Sequence, residues 1–195
     1  MHFRNTLAAA TLCVATLAAT PATAAIFTLN GSLTLSDPTF NRPLEGNPPT
    51  GLSGVGTAVH YDTLTFRVDT AGAYSFLMSS GVGGFDTFLG LYSTSFNPGS
   101  PLTNVLQYND DFNSSLTSSG FTRTLAAGTS YIAVLTAFEN TGLGAYTLTI
   151  NGPGTVSPAG AVPEPASWAM MIGGVGAVGF ALRRRPKVRT TVKFA

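Results

Sequence analysis

The sequence predicts an all-β body, an antiparallel β-sandwich of jelly-roll-like type, set between an N-terminal signal peptide and one C-terminal transmembrane helix. Three observations predict it. Apolar and polar residues alternate with period two through the middle of the 195-residue chain, and no stretch there has helical spacing. Both ends carry apolar runs flanked by basic residues. Charge then separates the parts: from Ala25 to Val162 three basic residues (Arg42, Arg67, Arg123) face eight acidic ones, whereas after Leu182 six basic residues stand without an acid. A whole-chain charge of +1 therefore hides an acidic body and a basic tail.

Residues 1–24 read as a secretory signal peptide. Arg4 precedes the apolar run Leu7 to Ala19, Pro21 breaks it, and the small residues Ala22 and Ala24 place signal-peptidase cleavage before Ala25. Cys13, the only cysteine, lies in the part removed, so the mature chain has no disulfide, thiolate metal ligand or cysteine nucleophile.

The body, residues 25–152, holds about eight expected strands. Phe27 to Leu35 alternates; Tyr61 to Val68 turns Leu64, Phe66 and Val68 one way and Thr63, Thr65 and Arg67 the other; Tyr74, Phe76 and Met78 repeat the pattern. Thr87 to Tyr92 and Tyr131 to Phe138 are apolar on both faces. Shorter strands are expected at Asn104 to Tyr108 and Phe121 to Leu125, and Tyr146, Leu148 and Ile150 close the series. Ser36 to Thr57, with Pro38, Pro43, Pro48 and Pro49, is the one long loop, the kind of segment that is often functional or mobile. Residues 153–162 read as a Gly/Pro/Ser linker.

The tail has three parts. Pro163 and Pro165 remove two amide donors and favour extended backbone that a processing enzyme can reach. About residues 166–182 carry no charge, and a helix of that length is roughly 25 Å long, slightly short of the hydrocarbon thickness. Gly173, Ala177 and Ala181 make a small-residue face, suited either to close helix packing or to lipid contact. Trp168 suits the outer headgroup layer, and Arg183, Arg184 and Arg185 act as stop-transfer, leaving 183–195 as a basic cytoplasmic tail.

Pro163-Glu164-Pro165, Trp168-Ala169, the glycine-rich apolar run and the arginine cluster, in that order over 163–185, resemble the PEP-CTERM sorting signal in its PEPxxWA variety. The resemblance implies an exosortase substrate of a Gram-negative bacterium: Pro163, Glu164, Pro165 and Trp168 as the sorting motif, an inner-membrane intermediate, and a final place on the cell surface or in an exopolysaccharide biofilm matrix. It says where the chain goes, not what the body does there.

Asp86-Thr87-Phe88-Leu89-Gly90-Leu91-Tyr92, Asn109-Asp110-Asp111, Ala126-Ala127-Gly128-Thr129-Ser130-Tyr131 and Gly144-Ala145-Tyr146 are similar, in this order, to bacterial pre-peptidase C-terminal domains, over roughly Tyr61 to Asn151. That resemblance implies a non-catalytic sandwich, some relatives of which bind calcium or a polymeric ligand. Here it stands without a peptidase.

The chemistry on offer is sparse. His60, the body's one histidine, shares the parity of Leu64 and Phe66, which favours a structural role. No G-x-S-x-G, H-E-x-x-H, P-loop or dinucleotide glycine pattern occurs. Asp86, Asn109, Asp110 and Asp111 offer hard oxygen ligands of the kind Ca²⁺ takes, while Asn and Asp are also ordinary turn formers. Tyr92, Tyr108 and Phe112 offer either core or a flat platform for sugar rings. An acidic body lacks the positive patch that nucleic acid needs. The expectation is a non-catalytic surface or matrix protein; the alternatives are a carbohydrate-binding, Ca-dependent module and, behind it, a secreted hydrolase.

Overall fold

The computed structural model describes residues 24–159 and, in the tail, Ile172, Gly174–Gly176, Val178 and Gly179, which are helical and exposed. Ala22, Pro163, Glu164, Pro165, Trp168, Arg183, Arg184 and Arg185 lie outside the described residues, as do nearly all of the segment expected to be a signal peptide and most of the run expected to span a membrane. Among the described residues no helix is long and apolar enough to cross a membrane.

Among the described residues ten strands follow in chain order. They are β1 Ala25–Leu33, β2 Thr39–Phe40, β3 Val59–Val68, β4 Gly72–Ser79, β5 Thr87–Ser93, β6 Val105–Asn109, β7 Ser118–Leu125, β8 Tyr131–Ala137, β9 Gly144–Gly152 and β10 Val156–Pro158. They form two antiparallel sheets, one ordered β1-β9-β4-β7 and the other β10-β3-β8-β5-β6, with β2 pairing on β3. The all-β sandwich expected from the alternation is what the chain adopts. Tyr74, Phe76 and Met78 of β4 and Tyr146, Leu148 and Ile150 of β9 point inward from one sheet; Leu64, Phe66 and Val68 of β3 meet them from the other.

The strands that are apolar on both faces have a cause. In β5, Leu89 and Leu91 enter the central core, while Phe88 and Tyr92 face out into a second apolar cluster with Phe40, Val59, Tyr108, Ile132 and Val134. The long loop closes over this outer cluster. It folds back on itself, the Leu44 amide donating to Gly51 and that of Arg42 to Gly56, and is bound to β6 by reciprocal Gly46 and Tyr108 backbone bonds of 3.1 and 2.9 Å. Phe40, Tyr61 and Phe96 meet edge to face at 5.0 to 5.3 Å. The loop is thus a lid of core rather than a free excursion.

Several strand ends shift by one to three residues from the sequence reading, and three departures bear on the architecture. The first strand ends at Leu33, because the Thr34 amide donates to the Asp37 carboxylate at 2.6 Å and turns the chain, leaving Leu35 exposed. Thr39–Phe40 adds a short strand inside the loop. The segment taken as a linker from 153 instead returns to the sandwich: Val156 pairs with Val68 and is buried, and the Ala159 amide donates to Thr65 at 2.7 Å. One alternating valine after the Gly152-Pro153-Gly154 turn suffices, because Asp69 receives the Thr155 amide at 2.9 Å and steers the strand home. The folded body runs to Ala159.

Candidate functional site

Antiparallel pairing of β5 and β6 ends at Leu89 opposite Asn109, so Asp86, just before β5, and Asp110-Asp111, just after β6, arrive at the same end of the sheet. β8 joins them there, with the Phe138 amide donating to the Asp86 carbonyl at 3.0 Å. One carboxylate oxygen from each of Asp86, Asp110 and Asp111 lies within 4.8 Å of the others. Asp86 and Asp110 are half-buried and Asp111 is exposed.

Desolvation, then the neighbouring carboxylates, pushes the Asp86 and Asp110 carboxyls up to about 6, and Arg42 pulls each partly back. The Oδ1 atoms of Asp86 and Asp110 are buried without a hydrogen-bond partner. Arg42 is the element that sequence reasoning missed. It is 2% exposed, donates from Nε to the Phe138 carbonyl at 2.8 Å and from Nη1 to Pro43 at 3.1 Å, and lies over the Phe88 and Phe138 rings at 3.9 and 4.6 Å. Burial lowers its own pKa, while the fields of Asp110 and Asp86 oppose that loss. Its signal was in the sequence: a lone arginine flanked by Phe40 and Pro43 in the loop of a cation-poor body.

Three carboxylates against one guanidinium leave the cluster negative. Hard oxygen atoms, two of them buried and unpaired, fit a calcium ion, for which the aspartates would supply part of a six-to-eight oxygen shell. Asn109 stands apart from them. Its Oδ1 accepts from the Gly120 amide at 2.7 Å and its Nδ2 donates to Glu45 at 2.8 Å, so it joins β6 to β7 and to the loop.

Elsewhere, His60 donates from Nδ1 to the Asp37 carbonyl at 2.8 Å, anchoring the start of the loop. Tyr146 donates to Asp62 at 2.7 Å across the sandwich. Tyr92 and Tyr108 form no sugar platform: both are buried, with the Tyr92 hydroxyl donating to Pro101 at 2.6 Å and lying 3.2 Å from that of Tyr108. Of the three aromatics considered for that role, Phe112 alone is exposed.

Residues 161–185 match the family described as the PEP-CTERM protein-sorting motif. The tail is a PEP-CTERM motif. Such a motif implies export to the cell envelope or surface and processing by an exosortase-type enzyme. No curated protein matches the chain. Among solved structures, the pre-peptidase C-terminal domain of collagenase from Bacillus anthracis is similar at 18% identity and a TM-score of 0.40, over 64% of this chain and 87% of that one. The CBM35 domain of Abf62 from Cellvibrio japonicus is similar at 17% identity and a TM-score of 0.33, over 68% of this chain and 97% of that one. The PEP-CTERM match opens just past Ala159, the last described residue of the body, so domain and motif are nearly contiguous. From Ala159 to Pro163 the chain reaches about 14 Å at most.

Proposed function

We propose that this chain is an exported, non-catalytic protein of the cell surface or exopolysaccharide matrix, delivered by its PEP-CTERM motif, with a sandwich that binds calcium at Asp86, Asp110 and Asp111. The observation that carries the reading is the motif match at 161–185, directly behind a folded domain. The calcium part is supported by the convergence of three carboxylates and by two buried oxygen atoms that no donor satisfies. A structural use of the body's lone histidine supports the non-catalytic part. Fractionation of an exosortase-containing host tests delivery: the parent is expected at the surface or in the medium, and a Pro163→Ala, Glu164→Ala, Pro165→Ala variant in the inner membrane. Equal distribution of the two defeats the reading. Calcium is expected to raise the unfolding midpoint of the parent but not that of Asp86→Asn, Asp110→Asn.

A carbohydrate-binding role is favoured by one specific observation, the outer face of the four-stranded sheet.

A further inference from the structure

No outward side chain of β1, β9, β4 or β7 is charged. Pairing aligns these side chains in rows across the sheet. One row runs Ile26, Asn151, Ser75, Thr122; the next, Thr28, Thr149, Leu77, Gly120; a third, Asn30, Thr147, Ser79, Ser118. With strands about 4.8 Å apart and successive rows about 7 Å apart, the face is a grid of hydroxyls and amides on a rigid backbone.

Two features give the grid relief. Asn30, Thr147 and Ser79 of the third row, with Ser80 and Gly81 beside them, line an uncharged cleft of about 310 Å³, in which the Thr147 hydroxyl donates to the Asn30 side-chain Oδ1 at 2.8 Å. An apolar step stands near the opposite edge. Leu77 and Phe112 are 37% and 38% exposed and lie over Gly120, where a Cβ would meet each at 3.3 Å and the Phe76 carbonyl oxygen at 2.6 Å, so both side chains sit close against the sheet next to the hydroxyl rows.

We propose that this face binds a neutral, hydroxyl-rich polysaccharide, with sugar hydroxyls paired along the rows and in the cleft and the C–H face of a sugar ring on Leu77 and Phe112. The chemistry of the face selects this occupant. A charged polymer would give up hydration of its charges without gaining a counter-charge, and the acidic body repels polyanions. Short Ser, Thr and Asn side chains lose little rotamer freedom when a ligand orders them, unlike Lys or Glu. The inference deepens the matrix reading above but stands on the face itself.

The test is affinity electrophoresis of the full chain in mild detergent, through gels containing hydroxyethylcellulose, dextran, galactomannan or alginate. Retardation is expected in at least one neutral gel and not in alginate. Thr28→Lys, Thr149→Lys and Thr122→Lys are each expected to weaken it about tenfold or more. Thr63→Lys, an exposed change on the other sheet, is expected to leave it intact. Far-UV circular dichroism and the thermal midpoint show that the variants fold. No retardation in any neutral gel, retardation in alginate alone, or lysine variants that bind as the parent does overturn the proposal. So does a dimer in sedimentation that the same variants dissolve, which would make the face a contact between copies. Intact mass of the same chain from an exosortase host reports sorting separately, so either reading can fail without the other.

Discussion

The two sheets present opposite outer faces. That of the six-stranded sheet is covered over much of its area: the Arg42 loop seals Phe88, Tyr92 and Tyr108 beneath it, Thr63 and Arg67 of β3 stay exposed, and the acidic cluster sits at its end. The face of the four-stranded sheet is bare, uncharged and lined by hydroxyls. The contrast separates a side that buries a second layer of apolar surface from a side that is left free, which the proposal above gives to recognition of a polymer. Apolar side chains on both faces of a strand demand a cover, and the chain spends its longest loop on it; short polar side chains on one face need no cover and leave that side open to a ligand.

Substitutions should respect the division. Phe88→Ala, which removes a ring stacked on Tyr108 at 5.4 Å, is expected to cost about 3–5 kcal/mol in denaturant unfolding. A loss below about 1 kcal/mol would mean that the loop does not seal a core. Arg42→Met keeps the stem but loses two hydrogen bonds and the cation over two rings; about 2 kcal/mol is expected, with calcium restoring part of it by replacing the missing positive charge. Val156→Ala should cost about 1–2 kcal/mol if β10 belongs to the body, and nothing measurable if 153–162 is a free linker.

Proton linkage gives a smaller effect of definite sign. Asp86 and Asp110 bind protons up to about pH 6 when folded and release them near 3.8 when unfolded. Between those values the folded state holds more protons, so in chelator the stability falls as pH rises from about 4 to about 6, by an amount that partial exposure reduces. Saturating calcium should abolish the fall, and its affinity should drop as pH goes below about 6. A chelated chain whose stability is flat over that range contradicts the geometry of the cluster. Smallest of all, Thr28→Ala or Thr122→Ala on the bare face should shift stability by no more than about 0.5 kcal/mol.

Much of this was legible in the sequence. Alternation at Tyr74, Phe76, Met78 and at Tyr146, Leu148, Ile150 marks half-buried strands, since period two maps directly onto the faces of a sheet. The double apolar character of Thr87 to Tyr92 was visible as well, but not what covered it, because that depends on where a proline-rich loop folds back. β10 was hidden for a local reason: a three-residue strand with one buried valine carries too little alternation to outweigh Gly and Pro. At the acidic site, the neighbouring Asp110 and Asp111 drew attention to themselves and Asp86 followed from the family resemblance. Arg42 was marked only by its isolation in a cation-poor loop, and its place beside the carboxylates, like the separate task of Asn109, depended on tertiary contacts that spacing does not encode. The hydroxyl face was present as Thr and Ser at alternate positions, yet only the register of four strands turned those letters into rows.

Intact mass of the protein recovered from the surface and medium of an exosortase-containing host tests the central claim most directly. A species beginning at Ala25 and ending between Ala159 and Pro165, absent when Pro163, Glu164 and Pro165 are alanine, is the result expected. A parent chain that keeps Arg183 to Arg185 and stays in the inner membrane, as the variant does, would contradict it.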